Sequence, residues 1–136
     1  MTDLERAREF FSHDKYATSA TGIEIAEIGE NYAKTVLKLD ERHMNARGTL
    51  MGAVVYTMAD FTFAVSTNFD KDYGTVSTVS SVHHLAAAKG NTLTAESVLI
   101  KDGRTLCFYD IIITDDTGVT VAKVSITGTH IYPKAK

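Results

Sequence analysis

Two stretches of this chain carry apolar residues at helical spacing, and they differ in kind. Leu4, Ala7, Phe10 and Phe11 form the first stripe. It follows Thr2-Asp3-Leu4-Glu5, a capping-box pattern in which hydroxyl and carboxylate satisfy opposite backbone donors. A short amphipathic helix ending near Ser12 is predicted. The second stretch, residues 50–67, is apolar on nearly every side: Val54, Val55, Tyr56, Met58, Phe61, Phe63 and Val65 leave no wide polar stripe. It predicts a long helix that must be covered all round.

Elsewhere the period is two. Ile23 and Ile25 alternate with polar neighbours, Gly29-Glu30-Asn31 supplies a turn, and Ala33, Thr35, Leu37 and Leu39 alternate with Tyr32, Lys34, Val36 and Lys38. That pattern predicts a half-buried hairpin. After the polar turn Asp70-Lys71-Asp72-Tyr73-Gly74, four more strands are expected over residues 76–87, 92–101, 105–114 and 119–131. Lys89-Gly90-Asn91 and Asp115-Asp116-Thr117-Gly118 join two pairs of them. Asp102-Gly103 reads as a two-residue hairpin with positive φ at both positions. The order helix, two strands, long helix, four strands predicts an α+β domain: a meandering antiparallel sheet packed on one helix.

Bulk properties narrow the function. A length of 136 residues, 44% of them hydrophobic, fits one domain with a real core, spanning residues 1–136. Fourteen basic against 17 acidic residues give a net charge of −3, against a nucleic-acid partner. The N-terminus is charged from the start and shows no apolar signal segment, so a cytoplasmic setting is expected. Residues 50–67 carry Asp60, several hydroxyl residues and a glycine, which speaks for a buried helix rather than a membrane span. Cys107, the one cysteine, lies between Leu106 and Phe108 and reads as a small buried hydrophobe.

Asp60 is the only charge in the long helix, and a carboxylate there needs a partner or a task. At the helix start stand Gly48 and Gly52, with Thr49 or Gly48 as the expected N-cap. The first helical amides lack intrahelical acceptors, and Gly52 has no Cβ to keep a ligand carbonyl from its N–H. Such a donor suits developing negative charge on an oxyanion. Yet eight residues separate Gly52 from Asp60, about 12 Å along a helix. One chain cannot easily bring both to one atom, whereas two antiparallel helices could. The site, if it is one, is shared in a dimer.

The run His43-Met44-Asn45-Ala46-Arg47-Gly48-Thr49-Leu50-Met51-Gly52, with Asp60 beyond it, resembles the hotdog-fold acyl-CoA thioesterases of the 4-hydroxybenzoyl-CoA thioesterase superfamily, PaaI-like branch. Val76-Ser77, the corner Ala86-Ala87-Ala88-Lys89-Gly90 and the run from Ile100 to Leu106 extend the likeness over most of the chain. The resemblance implies a hotdog, an antiparallel sheet wrapped around a long central helix. It implies catalytic roles for Asn45 and Gly52 of one subunit, Asp60 of the other, and an assisting Ser77. In that scheme Gly52 polarises the thioester carbonyl, Asp60 acts as base on water or attacks directly, and Asn45 and Ser77 orient the participants. The substrate it implies is an acyl-CoA with a short, medium or aromatic acyl group. No separate cofactor is implied, coenzyme A being part of the substrate, and the expected assembly is a homodimer or a dimer of dimers.

One departure stands out: Met51 occupies the position where the family pattern has histidine in His-Gly-Gly, and Ala53 replaces the second glycine. A hotdog protein that binds acyl-CoA without hydrolysing it is therefore the alternative. Hydration or dehydration of an acyl thioester is disfavoured because residues 52–67 contain no histidine. Met51, Tyr56 and Phe61 are expected to line an acyl pocket. His83 shares strand parity with Ser77 and is expected to face the site, with His84 on the opposite face. Lys89 and Arg104, with Lys101 and Arg47, are candidates for coenzyme A phosphates. His43 reads as an orienting loop residue, and His13 and His130 carry no motif. No metal-ligand spacing and no Gly-x-Ser-x-Gly elbow occur, so neither a metal site nor a serine-hydrolase mechanism is expected.

Overall fold

The computed structural model describes residues 1–134. Helix α1 (Asp3–Phe11) starts with the expected capping box, Thr2 and Glu5 each accepting from the other's backbone amide. A wide helical turn, Tyr16–Thr21, ends at Gly22 with φ +92° and leads to strands β1 (Glu24–Gly29) and β2 (Tyr32–Lys38). Helix α2 (Gly52–Asn68) precedes β3 (Gly74–His84), β4 (Thr92–Asp102), β5 (Leu106–Asp115) and β6 (Thr120–Ile131). All ladders are antiparallel, and α2 lies on one face of the single six-stranded sheet. This is the α+β hotdog arrangement.

The sheet is not a simple meander. Its order is β1-β2-β4-β5-β6-β3, so β3 leaves the sequence and becomes an edge strand. From β2 to β3 is four strand spacings, about 19 Å. The 17-residue α2, about 25 Å long, crosses the sheet and delivers the chain to its far edge. The 85–91 connection returns it, held where the Leu85 amide donates to Val121 O at 2.8 Å.

The core forms between α2 and the inward face of the sheet. Val55, Met58, Phe63 and Val65 meet Leu37, Leu93, Ile111, Ile113 and Val124, all essentially inaccessible to solvent. Helix and sheet approach closely at Gly128, where an added Cβ would lie 2.6 Å from Phe63 Cζ and 2.9 Å from Cys107 Sγ. Cys107 is fully buried, and burial raises its thiol pKa, as suits an inert core residue. Buried hydroxyls on α2 find partners in the sheet: Thr62 with Thr35 and Ser66 with Ser97, each at 2.8 Å.

Two local expectations need correction. Among the described residues, positive φ occurs at Asn31, Asp70, Gly22, Gly48 and Gly118, not at Asp102 or Gly103. The β4–β5 connection is three residues long instead of two. Gly103 is needed for space: its amide donates to Leu106 O at 2.8 Å, and a Cβ would sit 2.8 Å from that same oxygen. The start of α2 also differs, since Met51, not Thr49 or Gly48, is the N-cap, and no side chain caps it.

Candidate active site

Helix α2 is not fully wrapped. A narrow line of small and polar residues, Gly52, Tyr56, Asp60, Ala64 and Asn68, stays partly or wholly exposed along one side. Their four-residue spacing puts them on one face. Edge strand β3 runs antiparallel beside this line and answers it residue by residue. His84 packs at Gly52, Tyr56 Oη donates to Ser80 Oγ at 3.3 Å, and Ser77 faces Asp60. Asn68 closes the row by accepting from the Thr75 amide at 2.9 Å and donating to Thr75 O at 3.2 Å.

Asp60 is half-buried, and its carboxyl pKa is raised above the ordinary value. Burial is the main cause, the nearby Asp14 carboxylate adds to it, and the Ser77 hydroxyl opposes it by favouring the charged form. A carboxylate so placed is a stronger base than one in water. Asp14 belongs to the turn after α1, so the N-terminal helix brings a second negative charge to Asp60. No sequence spacing signals that contact.

At the other end of the line, the α2 start is presented by a tight loop. Asn45 builds it: its Oδ1 accepts from the Arg47 amide at 3.0 Å and the Thr49 amide at 3.1 Å, and its Nδ2 donates to Thr49 Oγ1 at 2.8 Å. The loop is fixed to the body by His43, which is 1% exposed. His43 Nδ1 accepts from the Asp40 amide at 3.0 Å, while Nε2–H donates to Thr21 O at 2.7 Å. This is an orienting histidine with both nitrogens occupied. The Gly52 and Ala53 amides have no intrahelical acceptor, and Met51 offers no side chain to cap them. Beside them opens a groove of about 690 Å³, lined by Gly48, Thr49, Gly52, His84 and the corner Ala86-Ala87-Ala88.

Several expected site residues sit elsewhere. The β3 bulge between Ser77 and Val79 inverts the strand parity beyond it. Ser77 pairs with Gly128 and His84 with Ala122, whereas His83 pairs with Lys123. His84 therefore shares the helix-facing side with Ser77, and His83 points away from the site. Phe61 is core, 3% exposed and edge-to-face with Phe11 at 6.2 Å. Met51 lines a separate hollow of about 120 Å³ with Tyr16, Arg42 and Thr57, away from the groove. Tyr56 stays on the exposed line.

The basic candidates divide as well. Lys89 lies in the 85–91 connection before β4, where its amide donates to Asp115 Oδ2 at 2.7 Å. Arg104 is in the opposite β4–β5 turn, about 30 Å away by strand rise. Within one chain Lys89 and Arg47 each neighbour groove-lining residues, Gly90 and Gly48, and Arg104 does not. Among the described residues, no group of three or more His, Cys, Asp or Glu side chains gathers to hold a metal.

The sequence profile of the thioesterase superfamily matches residues 47–122, more than half of the chain and including the α2 start, Asp60 and the His84 corner. This protein belongs to the thioesterase superfamily. As a member it is a thioester hydrolase by class. A candidate esterase of Archaeoglobus fulgidus is 26% identical to it over 106 residues, covering 78% of this chain and 69% of that protein. The E. coli PaaI protein from the phenylacetic acid degradation operon superposes with a TM-score of 0.81 at 22% identity, covering 98% of this chain and 99% of that one. A hypothetical thioesterase of Streptococcus pneumoniae, solved with coenzyme A, gives a TM-score of 0.81 at 21% identity over 92% of this chain and 99% of that one. These two similarities bear on the fold, which this thioesterase shares with them from α1 to β6. No described helix of it is long and apolar enough to cross a membrane.

Proposed function

We propose that this thioesterase hydrolyses a short-chain, medium-chain or aromatic acyl-CoA at a site completed by a second copy of the chain. The observation that carries the reading is the division of labour along α2. A helix start with free amides and a half-buried carboxylate of raised pKa lie on the same exposed line, yet about 12 Å apart. A two-fold axis that packs this line against its copy brings Gly52 of one protomer to Asp60 of the partner subunit. Edge strand β3 supports that axis. It is eleven residues long, lacks lysine, carboxylate and proline, and leaves Val79 60% exposed. An unprotected neutral edge of that length invites a second strand.

In this arrangement the Gly52 amide holds the thioester oxygen. Asp60 of the partner subunit takes a proton from water as the water oxygen attacks the carbonyl carbon. The C–S bond then breaks, the fatty or aromatic acid forms, and coenzyme A leaves as a thiolate that regains the proton. In the alternative the Asp60 carboxylate attacks that carbon and expels the thiolate, and water then hydrolyses the mixed anhydride to the acid and the free Asp60 carboxylate. Ser77 positions Asp60. Asn45 acts chiefly as a positioning residue, since its oxygen is spent on the loop that carries Gly48 and Thr49. No cofactor is required beyond the coenzyme A of the substrate, and a cytoplasmic setting suits both that substrate and the reduced Cys107.

Met51 favours a second reading, binding without turnover. A panel of acyl-CoAs followed by thiol release separates the two. Turnover lost in Asp60→Asn supports hydrolysis, while saturable binding with no thiol release supports the binder. Mixing two inactive variants, Gly52→Ala and Asp60→Asn, tests the shared site. Random reassembly makes half the dimers mixed, each with one intact site, so about a quarter of native activity should return. No recovery after verified subunit exchange would refute the division between protomers.

A further inference from the structure

The groove at the start of α2 is lined almost wholly by apolar or small residues, among them Leu39, Leu50, Val55 and the three consecutive alanines of the 86–88 corner. Two lining side chains carry hydrogen-bonding groups, Thr49 and His84. The Thr49 hydroxyl already accepts from Asn45 Nδ2 at 2.8 Å. The ring nitrogens of His84 have no hydrogen-bond partner among the described residues. Its Cε1 and Nε2 lie 3.3 and 3.4 Å from where a Cβ on Gly52 would be. The ring is therefore packed on Gly52, one of the two residues of the helix start whose amides have no acceptor. Among the described residues it is the only titratable side chain lining the groove.

This position follows from two features. The Ser77/Val79 bulge turns His84 toward α2, and the pairing of His84 with Ala122 leaves a small neighbour that does not crowd the ring. The absence of a Cβ at Gly52 then lets the imidazole edge come within van der Waals distance of the helix backbone. A pocket of apolar walls with an unspent imidazole beside an open helix amide suits a ligand carbonyl.

We infer that His84 is a catalytic residue, donating from Nε2–H to the thioester oxygen beside the Gly52 amide, so that the two donors together form the oxyanion site. Its consequence for rate rests on the hydrolysis reading above. The imidazole keeps its proton throughout. As water adds, the carbonyl π pair moves onto oxygen, and His84 Nε2–H and Gly52 N–H stabilise that charge until it returns and expels the thiolate. Removing one such donor costs about 10²–10³-fold in kcat.

The test uses the full-length protein, its His84→Ala and His84→Gln variants, and hexanoyl-CoA and benzoyl-CoA as probes. His84→Ala should lower kcat about 100-fold with KM changed less than about threefold. His84→Gln, which restores an amide donor, should recover at least about tenfold of that loss. An unchanged kcat in His84→Ala overturns the proposal. Equal losses in both variants overturn it too, because they would show that ring packing matters and the donor does not.

A second measurement is independent of turnover and of how well the variants fold. Nitrogen shifts of the histidine rings are recorded in the native protein with a ketone analogue of hexanoyl-CoA, in which a methylene separates sulfur from carbonyl. The His84 signal, identified by its absence from His84→Gln, should move on saturation. A signal unmoved at saturation overturns the inference. A moved signal with no thiol release from any acyl-CoA leaves the His84 contact standing and refutes hydrolysis instead.

Discussion

Replacing Gly52 by alanine should separate activity from stability in a way few other changes in this protein can. Gly52 does not have the positive φ that would strain an alanine, since among the glycines that conformation belongs to Gly22, Gly48 and Gly118. The new methyl would meet His84 Cε1 at 3.3 Å and Nε2 at 3.4 Å, a tight contact that a few tenths of an ångström of ring movement relieves. His84 is exposed and can make that movement. Alanine also favours the helix over glycine by up to about 1 kcal/mol, which offsets the crowding. The melting temperature should therefore stay within about 4 °C of native. Turnover should not survive. A helical Cβ points back toward the N-terminus, where a carbonyl oxygen must approach the Gly52 amide. Obstructing that donor should reduce kcat by about 10²–10³-fold, roughly 3–4 kcal/mol of transition-state stabilisation. Thiol release with a turned-over acyl-CoA, beside a thermal melt, measures both. Native kcat in a well-folded Gly52→Ala protein would show that this amide does not hold the thioester oxygen.

The remaining predictions concern three carboxylates. Asp60→Asn should abolish turnover by about 10²–10⁴-fold and yet raise the melting temperature at neutral pH. Because folding raises the Asp60 pKa, the charged form destabilises the native state above that pKa, and the cost fades as pH falls through the unfolded value. The stability gap between variant and native should thus close toward about pH 4, and a gap that persists there would contradict the burial argument. Asp14→Asn removes a like charge that raises the Asp60 pKa, so the acid limb of kcat/KM should move to lower pH; an unmoved limb would refute the coupling. Asp115→Ala should lower the melting temperature by about 5 °C or more. Its carboxylate accepts from the Thr117 hydroxyl and from the Lys89, Gly90, Thr117 and Val119 amides at 2.7–3.0 Å. Those bonds, that of the Thr117 hydroxyl first, hold its pKa well below the usual carboxylate range. Its contribution is present above the unfolded carboxylate pKa and is lost only in strong acid, as pH falls through the depressed folded value. Native and Asp115→Ala melts should therefore converge only there.

Asp115 also shows which parts of the fold could be foreseen from sequence. The turn 115–118 was legible because Asp-Asp-Thr-Gly states its own chemistry: a carboxylate that bonds forward to nearby amides, and a glycine with φ +90°. The capping box at Thr2 and the β1–β2 turn were legible for the same local reason. Strand order was not. Alternation tells which face of a strand is buried but not which neighbour it pairs with. The departure of β3 from the meander depends on how far α2 reaches across the sheet. The Asp102-Gly103 pair misled because a glycine can be required for space as well as for φ, and only the Leu106 oxygen at 2.8 Å distinguishes them.

The same limit decides how much of the site could be read. Gly52 and Asp60 stood out as candidates because each violates the pattern around it, a missing Cβ where a ligand could approach and a charge within an apolar helix. Counting residues along the helix then sufficed to separate them by about 12 Å. Choosing between His83 and His84 required the bulge, one residue inserted opposite Gly128 and Thr127 that inverts every side chain after it. Nothing in Ser77-Thr78-Val79 marks that insertion, because serine, threonine and valine fit either face of an edge strand. The bulge also brings a ring with unspent nitrogens to the glycine at the helix start. Edge strand β3 thus furnishes both Ser77 for the carboxylate at the middle of α2 and His84 for the groove at its start.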